Sequence, residues 1–353
     1  MATSIPSLPS ETALLDTLSL TTWYKVQAKA TDNILNDNVV SAALRAKGCY
    51  KPQHGGRHIE RTVRYGTKTA YNVGPGSVLP TGEDEYGMQA IWDWARVACH
   101  AQRSIFKDNE NSGEGRRVEW VQYQLEMMRD AMATAHEDSL VAAVDSDGGT
   151  DLRADLAPQS LFNIFPGKSI YGMAGDYYDH ATAGTYLYGG IDTGSGLNTW
   201  WRPNYAVTVT PILSNLKTEW RHMMNTCSHG SSDAPDLIII NQTYFEAACE
   251  LFESAVTITS PMGKTLLDFG FKTLNYMGAE VLMCMHSDWP TYGQMFLNSR
   301  WVDIVYDPAL WMYMIPWQWV SSAQLERITR VVSQCTGPIC YNLRRQGYLG
   351  KSS

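Results

Sequence analysis

The chain lacks most of what marks a membrane protein or a catalyst. No stretch approaches the ~20 consecutive apolar residues of a transmembrane helix. Met1 to Tyr24 has neither a basic start nor a long apolar run, so no secretory signal is expected. Charged residues make up 18% of the 353, and they sum to −8. A sequence-indifferent nucleic-acid binder needs net positive surface to replace counterions, so that class is disfavoured. A protein that merely encloses nucleic acid is not. The cysteines (Cys49, Cys99, Cys227, Cys249, Cys284, Cys335 and Cys340) are scattered and odd in number, with no CxxC pair. Reduced thiols of a cytoplasm are expected, and no structural zinc. No internal repeat and no low-complexity linker occurs.

Catalytic motifs are equally scarce. There is no Gly-x-Ser-x-Gly elbow. The nearest histidine pairings, His54 with His58, His222 with His229 and His286 with Asp288, supply no third metal ligand at helical spacing. Gly263-Lys264-Thr265 has the end of a phosphate-binding loop, but Ile258 stands where its first glycine is required and Pro261 precedes it in place of a strand. Gly190-Ile191-Asp192-Thr193-Gly194-Ser195 looks like the active-site loop of aspartic proteases. That chemistry needs two carboxylates sharing one proton, and no second such loop follows. Asp192 reads as a surface residue of a Gly-rich turn, with an aspartic hydrolase as the competing reading. Arg344, Arg345 and Lys351 make a surface patch. No catalytic residue, cofactor or metal is expected.

What is present is a distinctive order of blocks. Twelve Trp and nineteen Tyr are many for this length, and such residues fill cores or anchor interfaces. Residues 1–54 carry no strong core pattern. Ser10 is placed to cap a short helix from Glu11 to Leu20, and the rest reads as an extended arm with anchors at Trp23, Tyr24 and Val26. Residues 55–106 form a polar hairpin. Ile59, Val63 and Tyr65 share one face with Arg61, and His58, Glu60, Thr62 and Arg64 share the other. A turn-rich tip carries Lys68, Gly74, Pro75, Gly76, Pro80 and the acidic run Glu83-Asp84-Glu85. The return strand alternates Ile91, Asp93, Ala95, Val97 and Cys99 with Trp92, Trp94, Arg96, Ala98 and His100. A two-stranded ribbon is marginal in water. Something must cover Trp92 and Trp94, either this chain's own body or a neighbouring copy. Trp92, Trp94, Lys68, Glu83, Asp84 and Glu85 are therefore the candidate interface residues.

Residues 107–149 hold one long helix, from about Arg116 to Val144. Val118, Val121, Leu125, Met128, Met132 and Ala135 form its apolar stripe, with Glu119, Glu126, Asp130 and Glu137 off it. At ~1.5 Å per residue it makes a rod of roughly 45 Å, ended by Asp145-Ser146-Asp147-Gly148-Gly149. Residues 150–320 read as mixed α/β. Thr210-Pro211 opens a helix whose apolar face is Ile212, Leu213, Leu216, Trp220 and Met223. Leu237-Ile238-Ile239-Ile240 is a buried strand. Thr243 with Glu246 forms a capping box, with Phe245, Cys249 and Phe252 along the apolar side. Strands follow at Thr273–Tyr276, Ala279–Met285, Met295–Leu297 and Trp301–Val305. Residues 321–353 are extended again from Leu325 to about Leu343, returning to the long-helix subdomain.

This order resembles the major capsid protein of tailed bacteriophages, the Hong Kong 97-type fold, over almost the whole chain. The resemblance rests on collinear phrases: Gly189-Gly190-Ile191-Asp192, Pro235-Asp236-Leu237-Ile238-Ile239 with Thr243-Tyr244-Phe245, Tyr276-Met277-Gly278-Ala279-Glu280-Val281, and Tyr292-Gly293-Gln294-Met295-Phe296-Leu297-Asn298. It implies an α+β fold with an N-arm at 1–54, an extended E-loop β-hairpin at 55–106, a peripheral-domain spine helix within 107–149, an axial mixed α/β domain at 150–320 and a peripheral return strand at 321–353. It implies a homo-oligomer of hexamers and pentamers that closes an icosahedral shell around double-stranded DNA, forms in the host cytoplasm and ends in the virion. A separate scaffold, a portal and a decoration protein are the implied partners. Some members of the family join an E-loop Lys to a distant Asn. Lys68 is the only ribbon lysine here, Asn342 is a conceivable partner, and no neighbouring Glu is identified. An encapsulin-like nanocompartment, which shares the fold, holds cargo instead of a genome.

Overall fold

The computed structural model describes residues 38–66, 70, 72–76, 78, 86–104, 120–141, 160–165, 187–193, 198–208, 215–230, 233–252, 274–286, 289, 293–321 and 324–351. The Ser10-capped helix, the anchors at Trp23, Tyr24 and Val26, and the acidic tip lie outside them. The chain divides into two compact units. Among described residues, the smaller contains 98–104, 120–132, 312–321 and 324–332, and the larger contains the rest.

The larger unit is built on a six-stranded mixed sheet, ordered β7 (Asn204–Thr208), β15 (Gly347–Lys351), β11 (Gln294–Leu297), β8 (Leu237–Asn241), β10 (Ala279–Cys284), β9 (Leu274–Tyr276). The expected buried strand at 237–240 is central. Successive side chains point to opposite faces of a strand, and here both faces are covered. Leu237 and Ile239 enter one apolar cluster with Met295, Leu297 and Leu282. Ile238 and Ile240 enter a second with Phe296, Val281 and Ala279. That is why this strand reads as an unbroken apolar run.

The second cluster is roofed by α3 (Leu216–Cys227) and α4 (Gln242–Phe252). Leu216, Trp220 and Met223 form the inward stripe of α3 as expected, joined by Met224 and Cys227. The expected capping box of α4 is replaced: Asn241, at the end of β8, accepts from the Tyr244 amide at 3.0 Å, and Glu246 accepts from Gln242 at 2.8 Å. Asn241 already lies outside the helical backbone, so its short side chain reaches the exposed amides first.

The first cluster includes a helix that sequence periodicity did not suggest. α1 (Val39–Ala46) buries Val39, Val40, Ala43 and Leu44, and Cys49 joins them, so residues 39–49 belong to the core and not to an arm. Its N-terminus has no cap from its own side chains. The carboxylate of Glu137, on α2 (Trp120–Val141), takes that role, accepting from the amides of Val40 and Ser41 at 2.8 Å each. Glu137 was expected on the polar side of the long helix; it is buried because an anion there satisfies orphan amides and the positive end of α1.

A second sheet is ordered β1 (Tyr50–Pro52), β12 (Val302–Tyr306), β14 (Gln324–Cys340), β13 (Tyr313–Ser321), with β4 (Ala95–Ser104) also on β14. The strand expected at 301–305 therefore leaves the α/β sheet and pairs with the long return strand, Val302 opposite Cys340. The main chain passes directly from one sheet to the other at 298–301 and at 341–346. Both passages are tied together. Asn298 donates its amide to Gln346 Oε1 at 2.9 Å, and Gln346 Nε2 donates back to the Asn298 carbonyl at 3.3 Å. Asp233 accepts from Asn298 Nδ2 at 2.9 Å and from Trp301 Nε1 at 2.8 Å, and pairs with Arg345 at 3.3 Å. Asp236 accepts from the amide and hydroxyl of Ser299 at 2.7 and 2.6 Å. Lys47, at the end of α1, reaches Asp236 at 3.6 Å and buried Glu280 at 3.2 Å.

Close to Glu137 on α2, His136 stacks on Trp311 with ring centroids 5.1 Å apart and lies 3.1 Å from the Ser333 hydroxyl. Burial, with a smaller effect of Arg45, lowers its pKa from 6.5 to about 4.

Two outcomes are expected in denaturant titrations of the unassembled subunit. Glu137→Ala strands two buried amides and should cost about 2–3 kcal/mol, with Glu137→Gln losing less. Between pH about 6.5 and about 4 the unfolded chain protonates His136 and the folded chain does not. Stability should therefore fall as the pH is lowered from about 6.5 to about 4, by at most about 1.4 kcal/mol per pH unit. His136→Gln should flatten that slope.

Candidate assembly surface

β2 (His58–Arg64) and β3 (Gly87–Asp93) make a ribbon, paired antiparallel from His58 opposite Asp93 to Arg64 opposite Gly87. Its inner face is Ile59, Arg61 and Val63 with Trp92, Ala90 and Met88; the outer face carries His58, Glu60 and Thr62 with Asp93, Ile91 and Gln89. The face assignment of the first strand agrees with its sequence pattern. The return strand does not run on to 100. It breaks at Trp94, and Ala95 starts β4 in the other sheet. Trp94 marks the break: half-buried, it donates Nε1 to the Gly56 carbonyl at 2.9 Å.

The base of the ribbon is seated on this chain. Ile59, Ala90 and Trp92 are buried, Trp92 at 3% exposure. Trp92 meets Tyr188 edge-on, with centroids 5.8 Å apart. The Ile91 amide donates to the Gly189 carbonyl at 2.9 Å. Gly189 has φ +59°, and a Cβ there would stand 2.8 Å from Trp92 Cζ2. Only glycine permits both the left-handed turn and this approach. Tyr188 in turn donates to the Pro338 carbonyl at 3.3 Å and accepts from the Cys340 amide at 2.7 Å. Of the two readings left open for Trp92, the structure has own-chain packing.

Asp192 belongs to this seat. It ends the two-strand hairpin β5 (Leu187–Tyr188) and β6 (Ile191–Asp192) that carries the Gly189-Gly190 turn. Its carbonyl accepts from Asn198 at 2.9 Å, and the Thr193 carbonyl accepts from Arg202 at 2.8 Å. These bonds hold a turn under a tryptophan.

Toward its tip the same inner face loses its cover. Tyr65 still stacks on Trp200 at 4.9 Å. Met88 is 43% exposed, Val73 60% and Val78 94%. The ribbon is thus covered at its base, and Met88, Val73 and Val78 are exposed. Lys68, Glu83, Asp84 and Glu85 lie outside the described residues. Asn342 is half-buried at the start of a short 3-10 turn, Leu343–Arg345.

A second apolar surface belongs to the smaller unit. β13 pairs with β14 on one edge, from Tyr313 opposite Val332 to Ser321 opposite Gln324. Among the described residues nothing pairs with its other edge. Tyr313, Met314, Trp319 and Val320 are exposed. Arg103 lies over Trp317 at 4.8 Å and Arg327 over Trp319 at 4.4 Å, which orients these rings. Sequence reasoning missed this strand because Pro316 interrupts it; the aromatic run Tyr313, Trp317, Trp319 was the available signal.

No family model matches the chain, and no curated protein matches its sequence. Solved structures do match its fold. The capsid of a native GTA particle aligns with TM-score 0.60 at 10% identity, over 95% of this chain and 99% of that one. The capsid of cyanophage A-1(L) aligns with TM-score 0.60 at 12% identity, over 93% and 96%. The capsid of cyanophage P-SCSP1u aligns with TM-score 0.52 at 11% identity, over 99% and 100%. The chain therefore has the mixed α/β fold of Hong Kong 97-type capsid subunits.

Trp92 and Met88 should separate the two halves of the ribbon. Trp92→Ala is expected to cost the isolated subunit about 3–5 kcal/mol in urea titrations. Met88→Ala should change that stability by less than about 1 kcal/mol, since its side chain is already partly in water.

Proposed function

We infer that this chain is the repeating subunit of a closed protein shell, the major head protein of a tailed phage enclosing double-stranded DNA. One observation carries the reading: the ribbon is seated on its own chain at Ile59, Ala90 and Trp92, while Met88 on the same face is exposed, as are Val73 and Val78 beyond the paired strands. A two-stranded ribbon with exposed apolar side chains is marginal in water unless something covers it, and in a shell that cover is the next copy. The fold likeness to capsid subunits supports the same conclusion. The ribbon then serves as the E-loop, α2 as the spine helix, the six-stranded sheet as the axial domain, and residues before Asn38 as the N-arm. Hexamers and pentamers would form the lattice, with a separate scaffold, a portal and a decoration protein as partners.

The role is structural, not catalytic. A shell subunit needs many modest contacts repeated by symmetry, and the net charge of −8 leaves packaged DNA free to move past the wall. Cargo-holding nanocompartments would use the same geometry. Nucleic acid recovered from nuclease-treated particles purified from the native source separates genome from cargo.

Replacing residues 67–85 by an Asn-Gly turn joins Gly66 to Tyr86 where the Tyr65 amide already bonds the Tyr86 carbonyl at 3.0 Å. The variant should keep its circular dichroism and melting behaviour and lose closed shells in sedimentation and negative-stain microscopy. Normal shells from it would contradict the assembly role of the tip.

A further inference from the structure

Lys47 is a primary amine held out of water between two carboxylates of the larger unit. It caps the end of α1, and its side chain is 7% exposed. Its Nζ lies 3.2 Å from Glu280 Oε2 and 3.6 Å from Asp236 Oδ2. The Glu280 side chain is 4% exposed. Side chains alternate along β10, so Glu280 shares the face of Leu282, which packs in the same apolar cluster as α1. Among the described residues no donor makes a hydrogen bond to either Glu280 oxygen. Burying a charge pair with so little hydrogen bonding is costly. The Asp236 carboxylate, in contrast, is fixed in place. The Ser299 amide donates to Oδ1 at 2.7 Å and the Ser299 hydroxyl to Oδ2 at 2.6 Å. Lys47 Nζ also donates to the Asp236 main-chain carbonyl at 3.3 Å, which keeps the amine beside that residue.

We propose that Lys47 and Asp236 of one chain condense to an amide after folding, with Glu280 as the proton carrier. Glu280 takes one proton from the Lys47 ammonium and passes it to Asp236 Oδ2, leaving an amine beside a neutral carboxyl. Nζ then attacks Cγ and the new C–N bond forms. Negative charge gathers on Oδ1, where the Ser299 amide already points. A second proton moves from the nitrogen through Glu280 to Oδ2, the Cγ–Oδ2 bond breaks, and that oxygen leaves as water. Ammonium and carboxylate thus become amide and water, Glu280 ends as it began, and nothing is oxidised or reduced. The Asp236 side chain is 33% exposed, which gives the water a way out. Groups positioned by a fold react at effective molarities of ~10⁵ M or more, and condensation removes two buried charges. The link joins the end of α1 to the loop before β8 across 189 residues, in a chain whose seven cysteines form no disulfide.

Mass spectrometry of the full chain, denatured and reduced, tests this directly. The unaltered chain should be lighter than the Lys47→Arg chain by one water beyond the residue difference, because a guanidinium does not condense. Fragmentation should place that loss in a branched peptide joining Lys47 to Asp236, with no tryptic cleavage after Lys47. An unaltered chain at full mass, open to trypsin at Lys47, would overturn the proposal, as would a water loss located elsewhere. This holds whether or not the variants fold. Glu280→Gln tests the proton carrier: newly translated chains with native circular dichroism should form the link at least ~100-fold more slowly. Equal rates would overturn the role given to Glu280.

Discussion

Everything in the larger unit depends on one polar junction. The chain crosses between its two sheets at 298–301 and again at 341–346, and the reciprocal bonds between Asn298 and Gln346 hold the crossings side by side. Both residues are buried, so each unmade bond would leave a polar group without water. Asp233 and Asp236 clamp the first crossing from the loop before β8, and Lys47 brings α1 to the same point. The apolar clusters supply the bulk of the burial, but they are tolerant of small shifts. The junction is directional, and it sets which strand belongs to which sheet.

The ribbon inherits its aim from that frame. Tyr188 binds the end of β14 with its hydroxyl, Trp92 packs on Tyr188, and Gly189 lets the two approach. A chain of three residues thus connects the return strand to the ribbon base. The paired strands of the ribbon are thus held in a direction fixed by the core, which a lattice of identical subunits requires.

Much of this was legible in the sequence where a single period governed several residues. The buried strand at 237–240, the stripe of α3, and the inward face of Ile59 and Val63 follow from spacing alone. The rest depended on partners far along the chain. Glu137 reads as a polar-face residue until α1 arrives ninety-six residues away to use it. Val302–Tyr306 has the same pattern as the strands before it, and only its pairing with β14 assigns it to another sheet. Trp94 looks like one more position in an alternation, yet its bond to Gly56 marks a change of sheet. Periodicity reports which side of an element is apolar; it does not report what lies against that side.

The place of β15 has a consequence for biosynthesis. It lies inside the six-stranded sheet, between β7 and β11, although Gly347–Lys351 follows every other strand in the chain. A ribosome must translate through Lys351 before β7 can join the sheet at all. Until then β11 has an open flank, and the second apolar cluster lacks Leu349. The nascent subunit is thus kept incomplete, with its late-forming contacts the slowest to close, so premature association between neighbouring polysomes is the hazard this topology must survive.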